Sequence, residues 1–176
     1  TLPTNLALAV GPDISYVVLP AGPHGIKAAA ADAPVTGSFL LAADLLAAYA
    51  KDLGYGDGAE GAAAAEAAIT SRHTGAELNG LSYEPLWDYF HDAEKYGTEN
   101  AWRFLVADYV TTTDGTGIVH QAPAYGEDDQ KICEEAGIPV VLSVDEGAKF
   151  LPIFGHGDLA EIAGLQVFEA NKPITQ

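Results

Sequence analysis

Two short apolar runs, Leu6–Val10 and Ser15–Leu19, open the chain with the turn cluster Gly11-Pro12-Asp13 between them, a pattern that predicts a hairpin. Beyond Pro20–Gly25 the period changes. Phe39, Leu40, Ala43, Leu46, Ala47 and Ala50 recur at helical spacing, Thr36 or Ser38 stands where a cap is needed, and Gly54 follows the end. Leu41, Leu45 and Leu53 widen the apolar face, so this helix is expected to lie against a core. Gly54–Gly61 reads as a loop, and the alanine-rich Ala62–Ile69 as a second helix.

Strand-like text resumes after Leu78. Asn79-Gly80 is a turn signal, and Leu81, Tyr83, Leu86, Trp87, Tyr89 and Phe90 make an aromatic-rich stretch before the polar loop Asp92–Asn100. Arg103–Thr113 and Thr116–Gln121 flank Asp114-Gly115, the strongest short-range signal for a hairpin. Pro123–Gly126 turns the chain into a short helix, Glu127–Ala136, which Gly137 closes and Pro139 keeps from continuing. Val140–Val144, Phe150–Phe154 and Leu165–Glu169 read as three further strands. The pattern as a whole predicts a mainly β core, plausibly a barrel, with at least two helices inserted between its strands.

Composition narrows the function classes. In 176 residues, 25 Asp and Glu against 8 Lys and Arg give a formal charge of −17, so the chain itself is a poor partner for a phosphate backbone. A hydrophobic fraction of 48% is ample for a core and excludes disorder as the general description. One cysteine, Cys133, excludes a disulfide framework and any multi-cysteine metal site. No run is long enough to span a membrane, and no signal-peptide pattern opens the chain. The expectation is one soluble domain in a reducing compartment. The absence of methionine and the abrupt start at Thr1 add the expectation that it is cut from a longer polypeptide.

Candidate chemistry concentrates in Gly115–Asp129, which reads G-T-G-I-V-H-Q-A-P-A-Y-G-E-D-D. On a strand, Ile118, His120 and Ala122 share one face. The following turn brings Glu127, Asp128 and Asp129 to the start of a helix. A strand-end histidine and a helix-start carboxylate could line one pocket. Equally, the histidine could be a hydrogen-bonded structural group, and the acids could simply complement the helix dipole. Other patterns fail. Gly115 interrupts an Asp-Thr-Gly motif that has no second copy, and His120, Asp129 and Cys133 make a poor metal set. Acidic neighbours also oppose a Cys133 thiolate paired with His120. Trp87, Tyr89 and Trp102 fit core or rim positions better than a base-stacking platform, since few basic residues accompany them.

The chain resembles the editing domain, connective peptide 1, of isoleucyl-tRNA synthetases. T-L-P-T-N-L-A-L-A-V at the start, G-A-E-L-N-G-L-S-Y-E-P-L-W-D-Y-F at Gly75–Phe90, D-Y-V-T-T-T-D-G-T-G-I-V-H-Q-A-P-A-Y-G-E-D-D at Asp108–Asp129 and V-F-E-A-N-K-P-I at Val167–Ile174 carry the likeness. Valyl and leucyl enzymes share the Gly-Thr-Gly hairpin but lack the G-I-V-H-Q-A-P run.

The resemblance implies a closed β-barrel core with inserted α/β elements. It makes residues 1–176 a single editing domain of a larger class I synthetase, with a helical insertion around 36–71. The implied reaction is hydrolysis of valine mischarged onto the isoleucine tRNA, and of valyl-adenylate. A second site is needed because one methylene supplies only about 1–3 kcal/mol of discrimination in an apolar pocket, a figure for which this enzyme's own choice between isoleucine and valine is a standard case. Thr1, Asn5, His120 and Asp129 are the implied catalytic-site residues, and with Ala122 they line the substrate. Asp129 would hold the α-ammonium, His120 would limit side-chain size, and a positioned water would attack. The editing domain needs no metal or cofactor; ATP and magnesium serve the parent enzyme. The implied partners are the tRNA 3′ end carrying valine, valyl-adenylate and the remaining synthetase domains, in a cytoplasmic monomer that touches no membrane. The alternative expectation is a fragment that binds valine-like ligands without turnover.

Overall fold

A computed structural model describes residues 1–26 and 37–175. In chain order its strands are β1 (Ala7–Val10), β2 (Ser15–Pro20), β3 (Ser38–Ala42), β4 (Ser71–Thr74), β5 (Arg103–Val106) and β6 (Ile118–Gln121). Its α-helices are α1 (Leu46–Tyr49), α2 (Gly58–Ala67), α3 (Gly75–Leu78), α4 (Ala93–Tyr96), α5 (Glu127–Glu135) and α6 (Val167–Thr175). Four 3-10 segments add to them, at Leu2–Thr4, Ala43–Leu45, Pro152–Phe154 and Gly157–Ile162. The class is mixed α/β rather than mainly β.

The closed barrel expected from the sequence is not what these strands form. Among the described residues they make two three-stranded sheets, ordered β5-β1-β6 and β3-β2-β4. The strands that could have continued either sheet are missing for local reasons. Pro152 turns the expected strand 150–154 into a 3-10 turn, and Val140–Val144 contributes only the bridge Val144–Phe150. The run 165–169 becomes the start of α6, where the Phe168 N–H donates to the Gln166 side chain at 2.8 Å. The run 103–113 stops at Val106, because the Val110 N–H turns back to the Ala107 carbonyl.

Both expected hairpins are likewise replaced. β1 is the middle strand of one sheet and β2 of the other, so neither offers the other a free edge. β1 also lies between β5 and β6, so the Asp114-Gly115 connection joins two outer strands. The helix expected from Phe39 starts later: 38–42 is β3, paired antiparallel to β2 with Tyr16 opposite Ala42 and Val18 opposite Leu40. The cap candidate Thr36 lies outside the described residues.

The chain divides into two compact units. One comprises residues 9–81 and 104–119. Its core packs Val17, Leu19, Leu41, Leu46, Ala50, Leu53, Tyr55 and Ala65, with a second cluster around Val10, Tyr16, Ala42 and Leu78. Tyr16 is fully buried; its hydroxyl donates to the Gly117 carbonyl at 2.6 Å and accepts the Gly11 N–H at 3.0 Å. Thr74 and Glu77 form a reciprocal capping box on α3, a T-x-x-E signature that the periodicity reading passed over.

The other unit comprises residues 1–8, 82–103 and 120–176 and carries the candidate site. Phe154, fully buried, is ringed by Tyr89, Phe90 and Phe150 at centroid distances of 4.9, 5.9 and 5.5 Å. α5 falls where the sequence places it, and Cys133 on its inner face is buried.

Candidate functional site

Asn5 follows the 3-10 turn Leu2–Thr4, whose Pro3 and Thr4 are buried and whose Thr4 N–H and hydroxyl both donate to the Thr1 carbonyl. That turn fixes where the Asn5 side chain can go. Its Nδ2 donates to the Ala7 carbonyl at 2.9 Å and lies 3.3 Å from Nδ1 of His120, while its Oδ1 accepts the Tyr83 hydroxyl. A backbone carbonyl can only accept, so Ala7 holds the amide nitrogen on its side while the Tyr83 hydroxyl holds Oδ1 on the other, and the two together set the amide orientation. The second amide proton then points at His120 Nδ1, which must be the unprotonated nitrogen. His120 is therefore the Nε2–H tautomer, with a donor on the side of the ring away from Asn5.

Burial lowers the proton affinity of His120 below the usual imidazole value, and the nearby Asp129 charge opposes this. The ring is thus kept neutral and presents one fixed donor. Tyr83 is pushed well above the ordinary phenol value, mainly by burial, and stays a hydroxyl donor.

Asp129 sits in the first turn of α5 beside Glu127 and Asp128. Its Oδ2 accepts the N–H of Ala122, a fully buried residue just past the end of β6, at 2.8 Å. The Tyr125 N–H also donates to the Ala122 carbonyl, so the turn 122–129 is closed from both sides. Gly126 is needed here by close approach rather than by backbone conformation. A Cβ on it would meet Asp129 Oδ1 at 2.9 Å.

The structure thus brings Asn5 and His120 into contact and ties Asp129 to Ala122. Thr1 is exposed and lines, with Tyr125, Ser143, Phe150, Val167 and Ile174, a cavity of about 320 Å³ whose lining includes neither Asn5 nor His120. Cys133, one helical turn after Asp129, is buried and has its thiol pushed up to about 12 by burial, with the Asp129 charge adding to it, which disfavours the thiolate. Among the described residues no group of three or more His, Cys, Asp or Glu could hold a metal ion.

Sequence reading missed two residues of this site. Tyr83 reads as one member of an aromatic stretch, and Trp102 as a core or rim ring. Trp102 has φ of 58°, in the left-handed region that costs a non-glycine residue about 1–2 kcal/mol. Its backbone N–H donates to the Leu6 carbonyl at 2.6 Å, its Nε1 to the Asn5 carbonyl at 3.1 Å, and its carbonyl accepts the Tyr83 N–H at 2.9 Å. His91 packs edge-on against its ring at 4.4 Å. No sequence signal marks either residue, since both roles depend on backbone geometry distant in the chain.

No protein-family model matches the chain. It is 59% identical over 177 residues to the isoleucine–tRNA ligase of Leifsonia xyli subsp. xyli, a match covering 99% of this chain and 15% of that protein. It is 45% identical over 174 residues to the isoleucine–tRNA ligase of Corynebacterium efficiens, covering 99% of this chain and 14% of the relative. For the isoleucine–tRNA ligase of Mycobacterium tuberculosis the identity is 41% over 176 residues, covering 100% of this chain and 14% of the relative. Beyond that, no helix among the described residues is long and apolar enough to cross a membrane.

Proposed function

The chain corresponds to a segment of isoleucine–tRNA ligases about one-seventh as long as those proteins, and from that premise we propose that it is their hydrolytic editing domain, removing valine mischarged onto the isoleucine tRNA. The observation that carries the reading is the pairing of a neutral, donor-bearing His120 with a half-occupied carboxylate at Asp129. Asp129 Oδ2 is taken by Ala122, while Oδ1 accepts no hydrogen bond among the described residues and is available to the substrate's α-ammonium. A charge-assisted contact of this kind contributes roughly 1.5–3 kcal/mol.

In this account His120 touches the substrate from the strand side. Its bulk limits the side chain admitted, and its Nε2–H donates toward the terminal ribose or ester. Asn5 acts through His120, because both its amide protons are already engaged. Thr1 is assigned to the site by sequence resemblance alone, since the cavity it lines includes neither Asn5 nor His120. Hydrolysis then adds a water across the ester: the water oxygen bonds to the carbonyl carbon, the bond to the ribose oxygen breaks, and that oxygen takes up the proton. Among the described residues no side chain of suitable basicity stands out as a general base, so positioning of water and substrate carries the rate. Valyl-adenylate is a second substrate of the same site. With a net charge of −17 the chain contributes little phosphate binding, and the remaining domains of the ligase hold the tRNA.

The test is a titration with nonhydrolysable valyl- and isoleucyl-adenosine analogues. The valyl analogue is expected to bind at least about tenfold more tightly, the ratio that a single excluded methylene provides. His120→Ala is expected to shrink that ratio. Equal affinities in the wild type would remove the reading.

A further inference from the structure

Three side chains from separate parts of the chain form one hydrogen-bonded line: the Tyr83 hydroxyl donates to Asn5 Oδ1, and Asn5 Nδ2 donates to His120 Nδ1. Asn5 is half-buried and held from three further sides. Ala7 takes its other amide proton, Trp102 Nε1 donates to its carbonyl, and the Leu2–Thr4 turn precedes it. An amide can rotate by half a turn and exchange its donor and acceptor ends. What opposes that rotation is a donor committed to Oδ1, together with an acceptor committed to Nδ2. The Ala7 carbonyl is the second and the Tyr83 hydroxyl is the first.

We infer that Tyr83 is a positioning residue that, through Asn5, holds His120 in its Nε2–H tautomer. It rests on the proposed editing function only for its consequence, namely that the donor so fixed faces the substrate. Tyr83 suits the task because burial keeps its hydroxyl protonated, so its proton is always available to Oδ1. A phenylalanine there keeps the ring and loses only the donor. The Asn5 amide then has less to lose by turning, and His120 Nδ1 no longer faces a fixed proton.

The experiment records imidazole nitrogen resonances of the ¹⁵N-labelled chain at about pH 8, where an ordinary imidazole is neutral. His120 is assigned by loss of its signals in His120→Asn. The wild type is expected to show Nδ1 at the unprotonated position and Nε2 protonated. In Tyr83→Phe both resonances are expected to move toward the position of interchanging tautomers, with the far-UV spectrum unchanged. Asn5→Ala cuts the same line at its middle and is expected to produce the same shift, which tests the Asn5–His120 half; a wild-type tautomer in it overturns the inference even should Tyr83→Phe fold poorly. If the well-folded variants keep the wild-type tautomer, the inference is wrong. Valyl-tRNA hydrolysis is scored separately in the full-length ligase that contains this chain: tautomer shifts without any hydrolysis there would leave the positioning role standing and remove the editing role.

Discussion

Asp129 Oδ2 accepts the N–H of Ala122 at 2.8 Å, so a carboxylate in the first turn of α5 is fastened to the end of β6 rather than spent on its own helix. The contact gives Asp129 two separable duties. One oxygen closes the turn 122–129, and the other faces whatever the site takes up.

Those duties part on substitution. Asp129→Ala orphans the buried Ala122 N–H, which costs about 1–3 kcal/mol, and removes the charge as well. Asp129→Asn keeps an acceptor for Ala122 and removes only the charge. Denaturant unfolding is therefore expected to show a clear loss for Ala and a small one for Asn, while both lose the valyl-analogue contact worth roughly 1.5–3 kcal/mol. An Asn variant that binds the analogue like the wild type would return Asp129 to a structural role.

Gly126→Ala attacks the same carboxylate without touching it. The added Cβ meets Asp129 Oδ1 at 2.9 Å, and the flexible end of the side chain must give way. Stability is expected to change by less than about 1 kcal/mol, as for substitutions that a side chain can evade. Affinity for the valyl analogue is expected to fall about tenfold or more, and calorimetric titration beside a melting curve separates the two effects. Unaltered affinity would show that the Oδ1 position is not used.

His120 makes a prediction about acid. Its proton affinity is lowered in the folded chain, first by burial, so between about 6.5 and the lowered folded value the unfolded chain binds more protons. Above that window His120 contributes nothing to the pH dependence. Stability then falls as the pH drops through it, and the loss levels off below the folded value. Urea midpoints at about pH 7.5 and 5.5 should draw apart in the wild type and less so in His120→Asn. Identical pH dependence in both proteins would mean that the ring is not desolvated.

Tyr16 is the corresponding point in the other unit. Its hydroxyl serves both the Gly11 N–H and the Gly117 carbonyl, and all of it is buried. Tyr16→Phe leaves two backbone groups without that partner, at about 1–3 kcal/mol each, so a loss of about 2–6 kcal/mol is expected in chemical unfolding. A change under about 0.5 kcal/mol would show that water replaces the hydroxyl.

What the sequence made legible were the elements whose cues are local. α5 lies between Gly126 and Gly137, where acids and a glycine stop mark its ends, and β1, β2 and β6 coincide with short apolar runs. Pairing was not legible, because a turn such as Gly11–Asp13 announces reversal without saying which strand lies alongside. The barrel expectation failed where Pro152 and the Gln166–Glu169 start signal outweighed β-branched and aromatic composition. Of the site, His120 and Asp129 stood out as chemistry-bearing types in one recognisable block. Tyr83 and Trp102 did not, since one acts through a hydroxyl brought from 78 residues away and the other through a left-handed backbone.

The central claim is tested most directly by single-turnover hydrolysis of valyl- and isoleucyl-esterified isoleucine tRNA, using the full-length ligase that contains this chain. The wild type is expected to release valine and leave isoleucine esterified, and Asp129→Asn to lose at least about tenfold in the valine rate. His120→Ala is expected to begin releasing isoleucine. Equal release of both amino acids by the wild type, or a valine rate indifferent to Asp129, would contradict the account.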